Sequence, residues 1–214
     1  MQQQVIVIGL GRFGTAAARE LQRLGHEVLA IDREEHLVNE IARDVTHAVQ
    51  LDASDESALA AVGAGQFGAG IVAISADAEA SIFATMVLKK LGVPLVVAKA
   101  GSPLHGSILE RVGADRVVYP EHDTGVRVAH SFRIQNIIDY LDIAPEFGIV
   151  HVHPPRRFVG KSLRELDLPA LQLTPIALRR GTSVIVNPQR DEVIGEADEL
   201  VLIGRDDKLE ALRG

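Results

Sequence analysis

Short apolar runs alternate with segments of helical periodicity through the first half of the chain. Residues 5–8 form a continuous, β-branched run, which is typical of a parallel strand buried on both faces. Residues 28–31 form a second run, and alanines and leucines at helical spacing fill the segment between the two. Further apolar runs, separated by predicted helices, lie at residues 47–51, 71–74, 93–98 and 116–119. This alternation predicts an α/β fold with a doubly wound parallel sheet.

The first strand runs directly into a turn with the pattern G-x-G-x-x-G, formed by Gly9, Gly11 and Gly14. In this pattern the first glycine permits a tight turn, the second lets a phosphate approach the backbone, and the third lets the next helix pack closely. Asp32 follows the second strand, where a carboxylate can accept hydrogen bonds from ribose hydroxyls and repel a 2′-phosphate. The stretch therefore predicts a Rossmann-like nucleotide site and argues against an NADP-type ligand.

Ligands of doubly wound sheets bind at the carboxyl ends of the strands, where this chain places several polar residues. The candidate nucleotide-binding residues are Gly9, Gly11, Arg12, Phe13, Gly14, Asp32, Arg33, Asp52, Ala53, Ser75, Lys99 and Glu121.

Arg12 and Glu121 each allow two interpretations. The guanidinium of Arg12 stands at a helix N-terminus and can bind phosphate oxygens in pairs, which suits a ligand with more phosphate charge than NAD, such as ATP. The alternative is an exposed surface arginine. The carboxylate of Glu121 can support a divalent cation, Mg²⁺ or Ca²⁺, or can simply be an acid that is favourable at a helix start.

The pattern of apolar and polar residues changes in the last third of the chain. Asp123 and Thr124 are expected to cap a long amphipathic helix over residues 125–141, which either reaches a partner or packs on its own sheet. A proline and a glycine then indicate a domain boundary, dividing the chain into residues 1–143 and 144–214. Beyond it, the short helix expected at 162–166 is surrounded by apolar runs at 149–152, 176–178, 183–186 and 200–203. Residues 144–214 are therefore predicted to form a small α+β domain.

Composition excludes several classes of function. The formal net charge of −7 argues against a nucleic-acid partner, and the absence of cysteine excludes disulfides, zinc–thiolate sites and a cysteine nucleophile. No apolar run is long enough to span a bilayer, and the N-terminus lacks the features of a signal peptide, so we expect a cytoplasmic protein. No established catalytic motif is present, and the C-terminal part is small for a substrate domain, which favours a binding protein over an enzyme.

Several segments resemble the cytosolic regulatory subunits of Ktr and Trk potassium transporters, the RCK proteins. They are VIGLGRFG and GHEVLAID in the nucleotide-binding stretch, THAV at 46–49, and GADRVVYPEHDTGVRVA at 113–129. The resemblance extends to KSL and ELD at 161–167, and so covers nearly the whole chain. The Ktr branch fits better because Trk regulators usually contain two such units. The resemblance implies an RCK_N (TrkA-N) domain over 1–143, ending in a crossover helix, and an RCK_C (TrkA-C) domain over 144–214.

The resemblance also implies ligands. Such subunits bind ATP or ADP, and often NAD(H), and some relatives bind cyclic di-AMP in the C-terminal domain. By resemblance, Arg12 contacts the γ-phosphate, which in the family happens across the dimer, Asp32 holds the ribose, and Asp52 with Ala53 lines the adenine site. Two further residues are assigned in the same way: Lys99 lies near the phosphates and Glu121 joins a divalent-cation site at a dimer interface.

The implied assembly is a homodimer that builds an octameric ring, held at the inner face of the membrane by a membrane-embedded potassium-translocating subunit. Two other functions remain open from the sequence. One is a small NAD-dependent oxidoreductase. The other is a ligand-sensing RCK module that regulates a cation/proton antiporter.

Overall fold

The computed structural model describes residues 3–132 and 136–212 and groups the chain into two compact units, residues 1–121 and 122–214. The first unit is a six-stranded parallel sheet with the strand order β3-β2-β1-β4-β5-β6. Its strands are β1 (Gln4–Ile8), β2 (Glu27–Asp32), β3 (His47–Gln50), β4 (Ala69–Val72), β5 (Leu95–Lys99) and β6 (Arg116–Val118). Its helices are α1 (Arg12–Arg23), α2 (Glu35–Ile41), α3 (Glu56–Ala61), α4 (Ala78–Lys90) and α5 (Pro103–Arg111), with a 3₁₀ turn at Ala64–Gln66. The predicted Rossmann-like, doubly wound fold is confirmed.

The central strand β1 contributes side chains to both faces of the sheet. Ile6 and Ile8 belong to one buried apolar cluster, and Val5 and Val7 belong to the other. All four side chains are at most 3% exposed, as expected for a strand covered by helices on both faces. Residues 5–8 are therefore all apolar because this one strand contributes side chains to two hydrophobic cores, one on each face of the sheet.

The helix predicted over residues 125–141 is wrong at both ends. The helix α6 begins earlier, at Pro120, and ends at Ser131 (Pro120–Ser131), whereas the strand β7 occupies Ile137–Ala144. Proline suits a helix start because it has no N–H to leave unpaired, and so Asp123 and Thr124 fall inside the helix instead of capping it. Residues 133–135, which include one expected apolar position of the long helix, lie outside the described residues.

The second unit is an antiparallel sheet with the order β10-β9-β11-β8-β7. The remaining strands are β8 (Phe147–Val152), β9 (Leu173–Arg180), β10 (Ser183–Val186) and β11 (Asp198–Arg205). The remaining helices are α7 (Leu163–Leu166) and α8 (Asp206–Glu210), with 3₁₀ turns at Arg156–Phe158 and Leu168–Leu171. This is the small C-terminal α+β domain that the apolar runs predict.

Strand β7 belongs to the sheet of the second unit because its residues pair with β8. Tyr140 is 3% exposed, its ring packs over Gly148, and its hydroxyl donates to Asp206 at 2.8 Å. The chain divides into its two units between residues 121 and 122, whereas the sequence places the boundary at 143/144. Among the described residues, no helix is both long and apolar enough to cross a membrane.

Candidate functional site

The glycine turn between β1 and α1 has a conformation that depends on glycine at two positions. Gly9 has a φ of +93°, a left-handed value that L side chains rarely adopt, and its N–H donates to the carbonyl oxygen of Ile31 at 2.8 Å. A Cβ on Gly14 would overlap the carbonyl oxygen of Gly9. Side chains at either position would therefore push α1 away from the end of β1.

The N-terminal end of α1 is open to an anionic group. Gly11 is the N-cap residue, and no side chain among the described residues caps the helix. A Cβ built on Gly11 would meet no heavy atom within 4 Å, so the space beside the turn is free. The first N–H groups of a helix lack intrahelical acceptors and lie at the positive end of its dipole. This end of α1 can therefore receive a phosphate.

Asp32, the last residue of β2, is oriented by two backbone N–H groups. Its Oδ2 accepts from Leu10 at 2.6 Å, and its Oδ1 accepts from Glu34 at 2.9 Å. The first of these bonds ties the glycine turn to the end of β2. Because each carboxylate oxygen can accept more than one hydrogen bond, Asp32 can still receive a pair of hydroxyl donors.

A cavity of about 220 Å³ lies beside Asp32, at the carboxyl ends of the strands where the strand order reverses between β1 and β4. In doubly wound sheets this is the usual position of a ligand. The candidate residues that line it are Gly9, Gly11, Asp32, Arg33, Asp52, Ala53 and Ser75. The candidates outside its lining are Arg12, Phe13, Gly14, Lys99 and Glu121.

Sequence reasoning missed the rest of the lining, which is Ile8, Glu34, Leu51, Ala73, Ile74, Ala76, Asp77 and Ala80. Most of these are apolar residues next to strand ends, where pattern alone cannot separate a cavity wall from the core. The position of Asp77 could have been recognised from the sequence. It is the N-cap of α4, accepting from the Ala80 N–H at 3.0 Å, and a capping acid just after a strand points to the ligand edge of the sheet.

Carboxylates dominate the charge of the cavity lining. They belong to Asp32, Glu34, Asp52 and Asp77. Arg33 is the cation that lines the cavity, and its guanidinium lies 3.5 Å from Glu34 and 3.7 Å from Asp77. Hydrogen bonds from the Ser54 hydroxyl and N–H hold the pKa of Asp52 below its ordinary value. This side of the cavity suits hydroxyl and amine donors and disfavours phosphate, which leaves the α1 end for anions.

Lys99, the last residue of β5, lies in a cluster beside the cavity. Its side chain is 7% exposed, and its ammonium donates to the Glu121 carboxylate at 2.5 Å and to the Ser75 hydroxyl at 3.3 Å. The hydrogen bond from Lys99, together with the weaker fields of Lys99 and Arg12, holds the pKa of Glu121 below its ordinary value. Ser75 also lines the cavity, so it connects the buried Lys99 ammonium with the ligand space.

The chain on its own does not assemble a metal site around Glu121. Nowhere among residues 3–132 and 136–212 do three or more histidine or carboxylate side chains come together in an arrangement that could hold a metal ion. Glu121 is 64% exposed, and one of its oxygens is engaged with Lys99. A divalent cation bound there would need oxygen ligands from outside this chain, such as the phosphates of a nucleotide or a second subunit.

Comparison with protein families accounts for both units. The TrkA-N domain model matches residues 5–120, and the TrkA-C domain model matches residues 148–214. The chain belongs to the TrkA-N/TrkA-C family.

The chain is also similar in sequence to two proteins from Bacillus subtilis (strain 168). Ktr system potassium uptake protein C is 40% identical over 95% of this chain and 93% of its own length. Ktr system potassium uptake protein A is 39% identical over 94% of this chain and 91% of its own length. The resemblance to the Ktr branch is thus confirmed.

A solved structure supports the fold of this TrkA-N/TrkA-C chain. The structure described as the GsuK channel bound to NAD aligns with a TM-score of 0.68 at 20% sequence identity. The alignment covers 99% of this chain and 39% of that one, so this chain spans well under half of the channel protein. At this level of identity the likeness establishes the shared fold.

Proposed function

We propose that the protein is a nucleotide-sensing regulatory subunit of a Ktr-type potassium uptake system and not an enzyme. The observation that carries the proposal is that the site of the first unit has a carboxylate on one side and an open, positively polarised helix N-terminus on the other. Hydroxyl-binding Asp32 stands on one side, and the uncapped end of α1 stands on the other with Arg12 at its first position. The identity to Ktr uptake proteins A and C over nearly the whole chain supports a role in regulation.

The charges of the site support adenine nucleotides in one orientation. The ribose hydroxyls face Asp32, the base lies toward Leu51, Asp52 and Ala53, and the phosphates extend to the N-terminus of α1. ATP, ADP and NAD(H) share an adenosine and its first two phosphates, so each can occupy this arrangement. The NAD bound to GsuK, according to the description of that structure, supports NAD(H) as a further ligand.

Arg12 is the proposed detector of the third phosphate. It is exposed at the first position of α1 and lies just outside the cavity lining, next to Gly11, so it stands beyond the phosphate-receiving end of the cavity. A ligand can shift a conformational equilibrium only by binding one state better than another, and the γ-phosphate is the chemical difference between ATP and ADP. The guanidinium of Arg12 can supply that difference through paired hydrogen bonds to phosphate oxygens.

Replacing Arg12 with alanine should weaken ATP binding roughly tenfold, the effect of losing one charge-assisted contact, and change ADP binding by less than about twofold. Isothermal titration calorimetry with both nucleotides measures the two affinities. Arg19→Ala on the same helix is the matched control, because Arg19 pairs with Asp44 at 2.7 Å on the surface. Equal losses for ATP and ADP in Arg12→Ala would refute the role of Arg12 as γ-phosphate detector.

A divalent cation, Mg²⁺ or Ca²⁺, is proposed to join the nucleotide through Glu121. The carboxylate supplies one hard oxygen ligand, and the shortage of further acidic ligands in this chain supports binding that depends on nucleotide phosphates. The cation should therefore bind measurably in the presence of ATP and poorly in its absence.

The second unit contains a separate cavity that suits the cyclic di-AMP expected from the family resemblance. It has a volume of about 240 Å³, and its lining includes two arginines, one carboxylate and three prolines: Arg164, Arg190, Asp167, Pro169, Pro175 and Pro188. Two guanidinium groups can each receive a phosphate, and the proline rings offer apolar surface to the bases. We propose this cavity as the place where such a dinucleotide binds.

The proposed assembly is a homodimer that forms an octameric ring at the cytoplasmic face of the membrane, attached to a potassium-translocating membrane subunit. The names of the Ktr relatives support the transport system, and the family resemblance supports the ring. Co-purification with the membrane subunit, and the mass of the assembly with each nucleotide, test this part of the proposal.

A further inference from the structure

Phe13 is part of the G-x-G-x-x-G turn, yet it does not line the cavity. Its half-buried ring lies on the Lys99 side, with the ring centroid 5.8 Å from the Lys99 ammonium. At this separation an ammonium is still attracted by the electrons of an aromatic face. Phe13 is therefore placed to act on Lys99, and through Lys99 on the ligand site.

Lys99 needs such a partner because its charge is buried. A buried ammonium is costly unless polar or charged groups surround it. Glu121 approaches closely, but the Ser75 hydroxyl is 3.3 Å away, near the limit for a hydrogen bond. The ring of Phe13 lies beside the same ammonium. Three separate segments, the start of α1, the loop that follows β4 and the start of α6, thus converge on one lysine.

Phe13 also shares a helical turn with Arg12. The two residues are consecutive at the start of α1, with Arg12 exposed and Phe13 turned inward toward Lys99. A displacement of this turn by a phosphate on Arg12 must carry the ring of Phe13 with it. The ring then moves relative to Lys99 and to its ion pair with Glu121, the second residue of α6.

We propose that Phe13 is a positioning residue that makes the Lys99–Glu121 ion pair respond to the first turn of α1. The inference rests on the proposed nucleotide-sensing function and adds a connection between the phosphate end of the site and the start of α6. Phe13 lies outside the cavity lining and is proposed to act through Lys99.

The first test is the ratio of ATP affinity to ADP affinity, measured by calorimetry. Phe13→Leu keeps an apolar side chain without a ring and should reduce the ratio by up to about fivefold, the limit reached if a cation–π contact of about 1 kcal/mol is kept in one nucleotide state and lost in the other. Phe13→Tyr keeps the ring and should restore the ratio to within about twofold of the original protein. Phe67→Leu is the matched control, because Phe67 is half-buried against the same unit's core. An unchanged ratio in Phe13→Leu overturns the inference.

The second test needs no nucleotide. Urea unfolding of Phe13→Leu, Lys99→Met and the double variant forms a double-mutant cycle. The proposed contact predicts that Phe13→Leu destabilises the protein less in the Lys99→Met background than in the original one, whereas equal effects overturn it. Failure of the original protein to bind ATP or ADP would defeat the proposed function and the coupling to nucleotide together. The cycle would still report whether the ring and the ammonium interact.

Discussion

Replacing Asp198 with alanine is expected to lower the free energy of unfolding of the second unit by about 3 kcal/mol. Asp198 is 2% exposed at the start of β11, and its two oxygens accept from Arg180 at 2.9 and 2.8 Å. The Gly195 N–H also donates to it at 2.7 Å. Alanine would leave the N–H of Gly195 without this acceptor and would remove two hydrogen bonds of the half-exposed Arg180 guanidinium, and a polar group that loses its partner is costly.

Urea unfolding followed by tyrosine fluorescence measures this loss. The chain has no tryptophan and two tyrosines, so a Tyr119→Phe background leaves Tyr140, in the core of the second unit, as the reporter. Asp207→Ala is the control, since Asp207 pairs with Arg205 at the surface, where solvent screens the pair, and its loss should destabilise the unit much less than the loss of Asp198. An Asp198→Ala effect as small as that of the control would show that the buried pair does not stabilise this unit.

The same pair predicts a pH dependence. The hydrogen bonds from Arg180 chiefly, and from Gly195, hold the pKa of Asp198 below its ordinary value. A carboxyl whose pKa is lowered by folding contributes stability that is complete above its unfolded pKa, about 4, and that is lost as the pH falls through the folded value. The stability difference between the original protein and Asp198→Asn should therefore be constant from pH 7 to pH 5 and shrink below pH 4. A difference that shrinks between pH 7 and pH 5 would contradict this assignment.

Replacing Asp32 with alanine should weaken ATP, ADP and NAD together, by roughly a hundredfold. The variant loses the acceptor for two ribose hydroxyls, and hydrogen bonds to a charged group are each worth about 1.5–3 kcal/mol. It also removes the acceptor of the Leu10 N–H, and so breaks the hydrogen bond that connects the glycine turn to the end of β2. This uniform loss contrasts with the selective loss of ATP expected for Arg12→Ala.

Calorimetry with all three ligands tests the prediction for Asp32. Asp44→Ala is the matched control, because Asp44 is an exposed aspartate of the same unit that pairs with Arg19. Circular dichroism of both variants establishes that the sheet is intact. An ADP affinity that is unchanged in Asp32→Ala would exclude the ribose role.

Local pattern was sufficient to predict the first unit. Parallel strands buried on both faces are continuous apolar runs, and the glycine turn with Asp32 has fixed spacing, so both can be recognised without tertiary information. The segment 137–141 could not be predicted in the same way. Its apolar residues fit one face of a helix, whereas pairing with β8 makes it a strand interrupted by register shifts. Tertiary pairing overrode a local preference that was ambiguous.

The site was predictable in part for the same reason. Asp32 and the glycines follow from a motif, but the ion pair of Lys99 with Glu121 depends on how closely the end of β5 approaches the start of α6. No spacing along the chain encodes that distance. The position of Phe13 over Lys99, and the bidentate pair of Arg180 with Asp198, likewise appear only when the chain is folded.

The proposed function requires the site in the first unit to distinguish ATP from ADP and to pass the difference to the assembly. The most direct measurement is titration of the purified protein with ATP, ADP, NAD and NADH, with the mass and hydrodynamic radius of the assembly recorded at saturation. We expect the protein to bind both ATP and ADP with unequal affinities, and the assembly to have a different radius in the two states at the same subunit number. Equal affinities with an unchanged radius would contradict it.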